Sequence, residues 1–431
     1  MRSKLPELDL QIERAAVGGR MIAHHDGKVV LVRGAIPGER VRVRVEHQTS
    51  DLVYAFVTDV LEPHSDRRSV EEDPRCGGHV YAHIRYERQR VLKGEIVVDA
   101  LRRIGHVNIQ TSVPVAVASE YGYRMRARLH VRGGRIGFLR EHSHRLCSTS
   151  NTGQLLPQTD ALLSWLSTRL RAIRSTGIKA IDLSENLVGD ECSLHFEVTH
   201  QALVDRGAFT KITDSERVRG LTMSRDRREQ PILLGGIPYV SDRLREVFPA
   251  VAAEYAEITI RRHASSFFQV NRYLISVLVT RVIDQVLSGE VIDLYAGVGL
   301  FSLALAVTGR VPVTAVESHK VCTKDLRVNA EPFGENIRVV CAPVEDFLRS
   351  GDGVTARTII VDPPRTGLSP DATNAVIRWS PARLVYVSCD VATLSRDVRR
   401  FLGSGYKLDH VEAFDMFPNT SHIETLVVLV K

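Results

Sequence analysis

The segment DLYAGVGLF, residues 293–301, carries the clearest structural signal of the chain. It begins inside the apolar run Val291 to Tyr295 and ends where the helical stretch Ser302 to Val307 begins. Gly297 and Gly299 allow the backbone to approach a ligand without a side-chain clash. Free amides at the start of a helix favour a polar or anionic group. The segment therefore predicts a loop that binds a nucleoside cofactor.

From about residue 259 onward, strand-like runs alternate with helical stretches. The runs are Val291 to Tyr295, Val313 to Glu317, Ile337 to Cys341, Thr358 to Asp362 and Leu384 to Ser388, and the closing stretch Ile423 to Val430 would add another strand. Such alternation predicts a mostly parallel, doubly wound sheet with helices on both faces. Ligands of these sheets gather at the carboxyl ends of the strands.

A nicotinamide-dependent dehydrogenase would share this geometry, and one position distinguishes the two possible cofactors. A nicotinamide-dependent dehydrogenase has a third glycine three residues after the second, where this chain has Ser302. That departure favours S-adenosylmethionine. Glu317 ends the next strand, 24 residues after Asp293, where a carboxylate can accept both ribose hydroxyls.

Two later strand ends carry candidate reactive groups. Asp362-Pro363-Pro364-Arg365 ends the fourth run, where two prolines stiffen a loop beside the transferable group. Cys389 follows the fifth run. A lone cysteine is usually a small core residue. The order of cofactor loop, acidic proline loop and thiol nevertheless indicates methyl transfer to a carbon atom.

Composition limits the possible class of protein. At 431 residues the chain exceeds one hydrophobic core, which predicts about three domains. The net charge of +6 permits a polyanionic partner without requiring one. Six scattered cysteines argue against a secreted disulfide scaffold and indicate a reducing compartment, the cytoplasm. Without a signal-peptide-like or membrane-spanning run, we expect a soluble protein with no membrane partner, and a monomer by default.

The predicted domains are residues 1–64, 75–258 and 259–431. In the first, runs of period two such as Val41 to Val45 predict a small antiparallel barrel, a fold that often binds single-stranded nucleic acid. Outward Arg42 and Arg44 would follow phosphates, or would simply be solvated.

The central region is less regular in sequence. Tyr81 to Ile104 and Leu155 to Ile173 predict helices, Ile181 to Val198 predicts strands, and Tyr123 to Leu139 predicts a hairpin bent at Gly133-Gly134. Alternate strand residues share a face, so Arg124, Arg126 and Arg128 could form a basic stripe suited to a folded RNA backbone. A solvated face is the alternative.

Taken together, these motifs resemble the RNA uridine-5-methyltransferase family. The matching segments are Ser266 to Asn271, Asp293 to Phe301, Asp362 to Leu368, Ser388-Cys389-Asp390 and His422 to Thr425, with weaker matches at Tyr123-Arg124 and Ser143-His144. The first sixty-odd residues resemble the TRAM barrel of that family. The resemblance implies an α/β chain with a Rossmann-like methyltransferase domain, an OB-like N-terminal barrel and a central α+β domain.

The resemblance also implies the catalytic residues. The C5 carbon of uracil is a poor nucleophile, so a thiolate must first add to C6 and give C5 electron density. Cys389 would be that thiolate, in a site made electropositive by the sulfonium and by Arg365. Glu424 would then remove the C5 proton. His422 would either orient Glu424 or only pack beside it.

Binding residues follow by the same resemblance. Gln269, Tyr295, Glu317 and Asp362 match cofactor-binding positions, together with the glycines at 297 and 299. Phe267 would pack against the extruded uracil, since chemistry at C5 and C6 requires the base out of its stack. Arg124 and Arg126 would contact the RNA.

The chain departs from the family at two places. Many members hold an iron–sulfur cluster with four cysteines around a Cys-Gly-Gly-Cys run, whereas this chain has Cys76-Gly77-Gly78-His79, with Val70 upstream. We therefore predict no cluster and no metal; a vestigial or zinc site using Cys76, His79 and Cys147 is the alternative. Pro343 stands where relatives often offer adenine a polar side chain, so backbone groups or Glu345 would have to read the base.

We expect a uridine-C5 methyltransferase acting on structured RNA, with ribosomal RNA favoured over transfer RNA because the barrel is present. The alternatives are a transfer RNA enzyme, an RNA cytosine-5-methyltransferase and a catalytically silent RNA-binding factor. The cytosine enzymes place a cysteine after proline in an earlier loop, where this chain has Asp362-Pro363-Pro364 and no thiol. The Cys389 and Glu424 pair argues against a silent factor.

Overall fold

The computed structural model describes residues 6–70, 76–110, 112–140, 143–172, 177–199, 209, 212–213, 215–226, 229–309, 312–351 and 356–431. The predicted end of one helix, Ile173, lies outside these residues. No helix in the described ranges combines the length and the apolar character needed to cross a membrane.

The first six strands form one sheet. They are β1 (Glu7–Gln11), β2 (Arg14–Ala15), β3 (Met21–His25), β4 (Lys28–Arg33), β5 (Arg40–Gln48) and β6 (Leu52–Glu62), in the order β1-β5-β6-β4-β3-β2. Along β5, Val41, Val43 and Val45 are buried and alternate with arginines, as the period-two pattern predicts. The pairing is antiparallel except between β4 and β6, which run parallel. This β-rich region fits a TRAM-like domain.

The central sheet has seven strands. The elements of this region are α1 (Tyr86–Arg103), β7 (Val115–Ala116), β8 (Arg126–Arg132), β9 (Arg135–Leu139), β10 (Leu146–Cys147), α2 (Pro157–Ala172), β11 (Ile178–Glu185), β12 (Cys192–Val198), β13 (Val218–Ser224) and β14 (Ile232–Gly236). The sheet order is β10-β9-β8-β11-β12-β13-β14. The predicted hairpin is present, and Gly133 and Gly134 form its turn with φ of 55° and 71°. Leucines of α2 pack against one face of this sheet.

A two-stranded ribbon links the central sheet to the C-terminal half. It consists of β15 (Tyr239–Arg243) and β16 (Thr259–His263), with the short helix α3 (Leu244–Val247) between them. The predicted boundary at residue 259 falls between the paired strands, and β7 joins the C-terminal sheet by pairing with β22. The three domain limits stay a prediction.

The C-terminal half is a doubly wound sheet. Its elements are α4 (Ile275–Asp284), β17 (Val291–Leu294), α5 (Leu300–Ala306), β18 (Val313–Glu317), α6 (Lys320–Ala330), β19 (Ile337–Cys341), α7 (Val344–Ser350), β20 (Thr358–Val361), α8 (Pro370–Trp379), β21 (Arg383–Ser388), α9 (Val391–Leu402), β22 (Lys407–Phe414) and β23 (Glu424–Val430). The order is β19-β18-β17-β20-β21-β23-β22-β7. The chain adds strands on one side of β17 and then on the other, so a crevice opens where the order reverses. The predicted α/β fold class is confirmed.

Candidate active site

The turn after β17 is shaped by three residues with positive φ. Tyr295, Gly297 and Gly299 have φ of 63°, 60° and 97°. A β-carbon at Gly299 would lie 2.6 Å from Leu326 Cδ1, so this glycine lets the turn pack against α6. A β-carbon at Gly297 would meet only the Phe267 carbonyl oxygen, at 3.8 Å. The backbone at Gly297 therefore stays approachable, and the left-handed conformation of Tyr295, uncommon for a residue with a side chain, marks a functional site.

Glu317 closes this turn from the neighbouring strand. The Gly297 amide donates to Glu317 Oε2 over 2.9 Å, and the His319 amide donates to Oε1 over 2.6 Å. The carboxylate is half-buried at the end of β18. Each carboxylate oxygen has a second lone pair, so Glu317 can hold the turn and still accept a hydrogen bond from a hydroxyl group.

Asp293 is a buried carboxyl group that sequence reasoning used only as a reference point. It is 1% exposed, and its Oδ2 accepts a 2.6 Å hydrogen bond from Ser302 Oγ. Its Oδ1 is buried and finds no hydrogen-bond partner in the described part of the chain. Burial raises the pKa of Asp293 to about 7. Ser302, mentioned above only because it occupies the third-glycine position, therefore donates a hydrogen bond that holds this buried acid behind the turn.

A second acid, Asp362, is half-buried and lies near the first. Gln269 Nε2 donates to Asp362 Oδ2 over 3.1 Å, which brings two predicted cofactor residues together. Burial and the nearby charge of Asp293 raise the pKa of Asp362 to about 7, and the Gln269 hydrogen bond opposes this shift. Asp293 lies within β17, one residue before its end, and Asp362 directly follows the neighbouring strand β20.

The predicted nucleophile and base lie at one end of adjacent strands. In the antiparallel pairing of β21 with β23, Ser388 is opposite Thr425. Cys389 directly follows the end of β21, and Glu424 begins β23, so both residues lie at the same end of the paired strands. Burial raises the pKa of Cys389 to about 12, with further contributions from the charges of Glu424 and Asp362. Burial and Asp362 likewise raise the pKa of Glu424.

Arg365 is the cation closest to this pair. Its charge and a hydrogen bond lower the pKa of Cys389, opposing the burial effect, and its charge also lowers the pKa of Glu424. Arg365 Nη2 donates to His422 Nε2 over 3.4 Å. Burial, followed by the charge of Arg365, lowers the pKa of His422 to about 4. His422 is therefore a neutral imidazole, and it accepts its hydrogen bond from the Arg365 guanidinium.

The predicted RNA-contact residues have different surroundings. Phe267 is 51% exposed, and the Arg126 guanidinium carbon lies 5.6 Å from its ring centroid. Arg124 donates to Gln154 Oε1 over 2.7 Å and lies near the Phe138 ring. Arg128 forms ion pairs with carboxylates of β11 and β12, Asp182 and Glu197. The expected stripe of three RNA-facing arginines is therefore not uniform along β8.

The residues at the family's cluster position are covalently linked. Cys76 and Cys147 form a disulfide across 71 residues, so neither sulfur is a metal ligand in this oxidised form. His79 lies nearby, with its amide bonded to the Cys76 carbonyl. Within the described ranges, no group of three or more His, Cys, Asp or Glu side chains is arranged to hold a metal. The absence of a cluster stays a prediction.

Pro343 and Glu345, the positions considered for adenine recognition, lie at the start of α7. Pro343 precedes this helix at its N-cap position. Glu345 accepts a 2.7 Å hydrogen bond from Ser369, the N-cap residue of α8. Glu345 therefore already fastens two helices, and the reading of adenine by Glu345 or backbone groups stays a prediction.

The strand order, the glycine turn and the buried acids define a class of α/β enzymes that bind a nucleoside cofactor at the switch point of the sheet. Residues 237–431 match the family model described as tRNA (uracil-5-)-methyltransferase. An uncharacterized RNA methyltransferase of Thermotoga maritima is 30% identical over 98% of both chains. A Pseudomonas putida protein named 23S rRNA (uracil(1939)-C(5))-methyltransferase RlmD is 30% identical, covering 97% of this chain and 92% of the relative. The chain belongs to the RNA uracil-5-methyltransferase family, which confirms the resemblance and the enzyme class.

A solved structure supports the fold over the whole length. The Pyrococcus abyssi tRNA (uracil-54, C5)-methyltransferase, in complex with S-adenosyl-L-homocysteine, aligns with a TM-score of 0.75 at 24% identity. The alignment covers 98% of this chain and 99% of the other. The two proteins therefore share all three sheet regions, including the N-terminal β-rich region.

Proposed function

We propose that this enzyme transfers a methyl group from S-adenosylmethionine to C5 of a uridine in structured RNA, with 23S ribosomal RNA as the substrate. The observation that carries the proposal is the pairing of Ser388 with Thr425, which leaves Cys389 just past the end of β21 and Glu424 at the start of the adjacent strand β23. A thiol and a carboxyl group in one buried crevice supply the nucleophile and the base that uracil C5 chemistry requires.

The residues around the turn fit this cofactor. Gly297 leaves open space where a β-carbon would otherwise stand, and Glu317 can accept ribose hydroxyls. Asp293 Oδ1 is a buried acceptor without a partner among the described residues, and Gln269 offers an amide beside Asp362. When bound, S-adenosylmethionine supplies an electrophilic methyl group and a positive charge.

Cys389 and Glu424 divide the covalent chemistry. The Cys389 sulfur forms a bond to C6 of the uracil, and the electron pair of the C5–C6 double bond moves toward C5 and O4. C5 would then bond to the methyl carbon while the bond from that carbon to the sulfonium sulfur breaks, so that S-adenosylhomocysteine is the leaving group. Glu424 takes the C5 proton, the C5–C6 double bond re-forms, and the bond from C6 to the sulfur breaks. Phe267 stands exposed beside Gln269, where it can pack against an extruded base.

The electrostatics of the crevice favour a nucleophile that becomes active only with ligands present. In the free protein, burial and the neighbouring carboxylates hold the pKa of Cys389 near 12, so the thiol keeps its proton at neutral pH. Arg365 acts in the opposite direction, and a bound cationic group would act with it. A raised pKa at Glu424 makes this carboxylate a stronger base for the C5 proton.

The choice of ribosomal RNA depends on the relatives rather than on the barrel. The tRNA enzyme of Pyrococcus abyssi aligns with 98% of this chain, so the N-terminal region alone does not separate the two substrates. Relatives named for 23S rRNA, from Pseudomonas putida and Hahella chejuensis, are 30% and 28% identical over nearly the whole chain.

The experiment incubates the purified protein with S-adenosylmethionine and either a 23S rRNA fragment or a tRNA transcript, and maps 5-methyluridine by mass spectrometry. We expect methylation of the 23S fragment. The same RNA made with 5-fluorouridine should trap a covalent adduct, because fluorine at C5 blocks the final deprotonation. Methylation of tRNA alone would overturn the substrate assignment, and an adduct formed by Cys389→Ala would overturn the assignment of the nucleophile.

A further inference from the structure

A groove separate from the active site runs between α2 and the segment that leads into β13. Its volume is about 390 Å³, within the range of small-molecule sites. Gln158, Trp165 and Arg169 line one wall, and Ser215 and Arg217 line the other. The three α2 residues lie on one stripe of the helix, because side chains three, four and seven positions apart share a face.

Trp165 offers an aromatic surface in this groove. The leucines of α2 supply its packing against the central sheet, and Trp165 is only half-buried at the edge of that core. The Arg169 guanidinium carbon lies 5.4 Å from the Trp165 ring centroid. An aromatic face next to a guanidinium is the combination that binds an unpaired base together with its phosphate.

The charge of the groove is positive. Two of its described lining residues are arginines and none is acidic. Arg217 Nη2 donates to Glu185 Oε1 over 2.9 Å, but Arg272 donates to the other oxygen of the same carboxylate over 2.7 Å. One buried carboxylate shared by two guanidinium groups leaves net positive charge beside the groove.

Packing contacts link the groove to the segment that carries Tyr273. Arg217 also donates to the Gly189 carbonyl over 2.6 Å, and Leu156 packs against Gly189 so closely that a β-carbon there would lie 2.3 Å from its Cδ1. Leu156 also contacts Gly122, beside which Tyr273 lies.

Exposed aromatic residues lie near these contacts. Tyr121 is 57% exposed and Tyr273 is 42% exposed. The two chain segments that carry them pair with each other through a bridge between Arg124 and Asn271, and one of these segments leads directly to Phe267. An RNA strand that leaves the target site could therefore follow aromatic groups toward Trp165.

We infer that this groove binds one unpaired nucleotide of the RNA substrate, outside the target uridine. The base stacks on Trp165 and its phosphate pairs with Arg169, while Arg217, held by Glu185 and the Gly189 carbonyl, lines the opposite wall. The inference rests on the proposed function, because RNA is the polyanion that the active site would receive.

The kinetic test compares Trp165→Leu, Trp165→Phe and Arg171→Gln with the wild-type enzyme on the RNA that it methylates. We expect Trp165→Leu to raise KM for RNA about tenfold with kcat unchanged, since a stacked base contributes substantially to affinity. Trp165→Phe should retain most of the affinity. Arg171→Gln removes a charge from the same helix outside the groove and should leave KM unchanged. An unchanged KM in Trp165→Leu would overturn the inference.

A binding test separates this inference from the proposed function. The chain has two tryptophans, and the second, Trp379, donates to the Leu348 carbonyl between α7 and α8. In a Trp379→Phe protein, fluorescence reports on Trp165 alone, and we expect it to be quenched as RNA is added. Fluorescence that stays constant while RNA binds would overturn the inference. If the protein methylates no RNA, the proposed function fails, whereas the fluorescence titration still decides the groove.

Discussion

Like charges lie close together in the crevice at the C-terminal sheet, whereas opposite charges are paired on the outer surface of the first sheet. In the crevice, Asp293, Asp362 and Glu424 are crowded together, and burial raises the pKa of each. On the first sheet, Arg42 and Arg44 each pair with a carboxylate directly across from them on β1, Asp9 and Glu7.

The difference shows which region of the fold brings like charges together at a cost in electrostatic free energy. Buried carboxyl groups that are close together destabilise one another's ionised forms, and Arg365 only partly opposes this effect at Glu424. Such crowding is typical of functional sites. Cross-strand pairs of opposite charge on an exposed sheet are ordinary structure. We therefore expect substitutions in the crevice to change activity strongly, and substitutions on the first sheet to change little.

The largest effect should follow removal of the nucleophile. Cys389→Ala should lower kcat/KM for RNA methylation by about 10⁴-fold or more, because no other group replaces the bond to C6. Cys192→Ala, which removes a free cysteine buried in the central sheet, is the matched control and should retain full activity. Substantial activity in Cys389→Ala would remove the main contrast between the two regions.

The next effect concerns the protonation of the same thiol. A pKa near 12, against an ordinary value of 9, leaves about a thousandfold less thiolate at neutral pH. Alkylation of Cys389 by iodoacetamide should therefore be slow at pH 7.5 and rise steeply with pH. Site-resolved mass spectrometry measures it, with the exposed Cys341 as internal reference. Rapid modification of Cys389 at pH 7.5 would contradict the electrostatic description of the crevice.

Glu424→Gln should slow turnover by about 10²-fold or more, because the amide cannot accept the C5 proton. The covalent RNA adduct should accumulate with unmodified RNA, which gel electrophoresis under denaturing conditions detects. Normal turnover without adduct would assign the proton transfer to another group.

A fourth prediction concerns the ion pair that links the central region to the catalytic sheet. Lys93 and Asp415 are both fully buried, and Lys93 Nζ lies 2.5 Å from Asp415 Oδ1. Lys93→Met should lower the free energy of unfolding by about 3 kcal/mol or more, since it leaves a buried charge unpaired. Denaturant titration measures the loss. The double variant with Asp415→Leu should recover part of it, and Arg102→Met, on the exposed face of the same helix, is the control.

The smallest effect should come from the first sheet. Arg42→Gln removes an exposed ion pair with Asp9, and we expect no measurable change in Tm or in kcat. A clear rise in KM for RNA in this variant would instead support the interpretation that Arg42 follows phosphates.

Much of the C-terminal half could be predicted because its strands are short apolar runs between helices. β18 and β19 have the predicted bounds, and β17, β20 and β21 differ from them by one residue. The central region was harder, since the partners of Arg128 lie on β11 and β12, more than fifty residues away. The role of Ser302 was missed for a related reason: a serine at the start of an apolar helix carries no local sign that it bonds to Asp293.

The disulfide shows the same limit. The six cysteines predicted a reduced protein, and Cys76 and Cys147 were considered only as metal ligands. Their bond depends on the pairing of β9 with β10, which brings Cys147 beside Phe138, and on the bridge between Cys76 and Arg140. No spacing rule connects two cysteines separated by 71 residues.

The amino-acid order alone was sufficient to recognise the doubly wound sheet, the glycine turn, the thiol and the carboxylate, because hydrophobic periodicity and residue chemistry are local properties. Only the folded chain decided that Cys389 and Glu424 lie at the same end of paired strands, that Asp293 and Asp362 lie close together, and that Trp165 borders a basic groove. These relations depend on strand register and on packing between distant segments, and both result from the burial of the whole core at once.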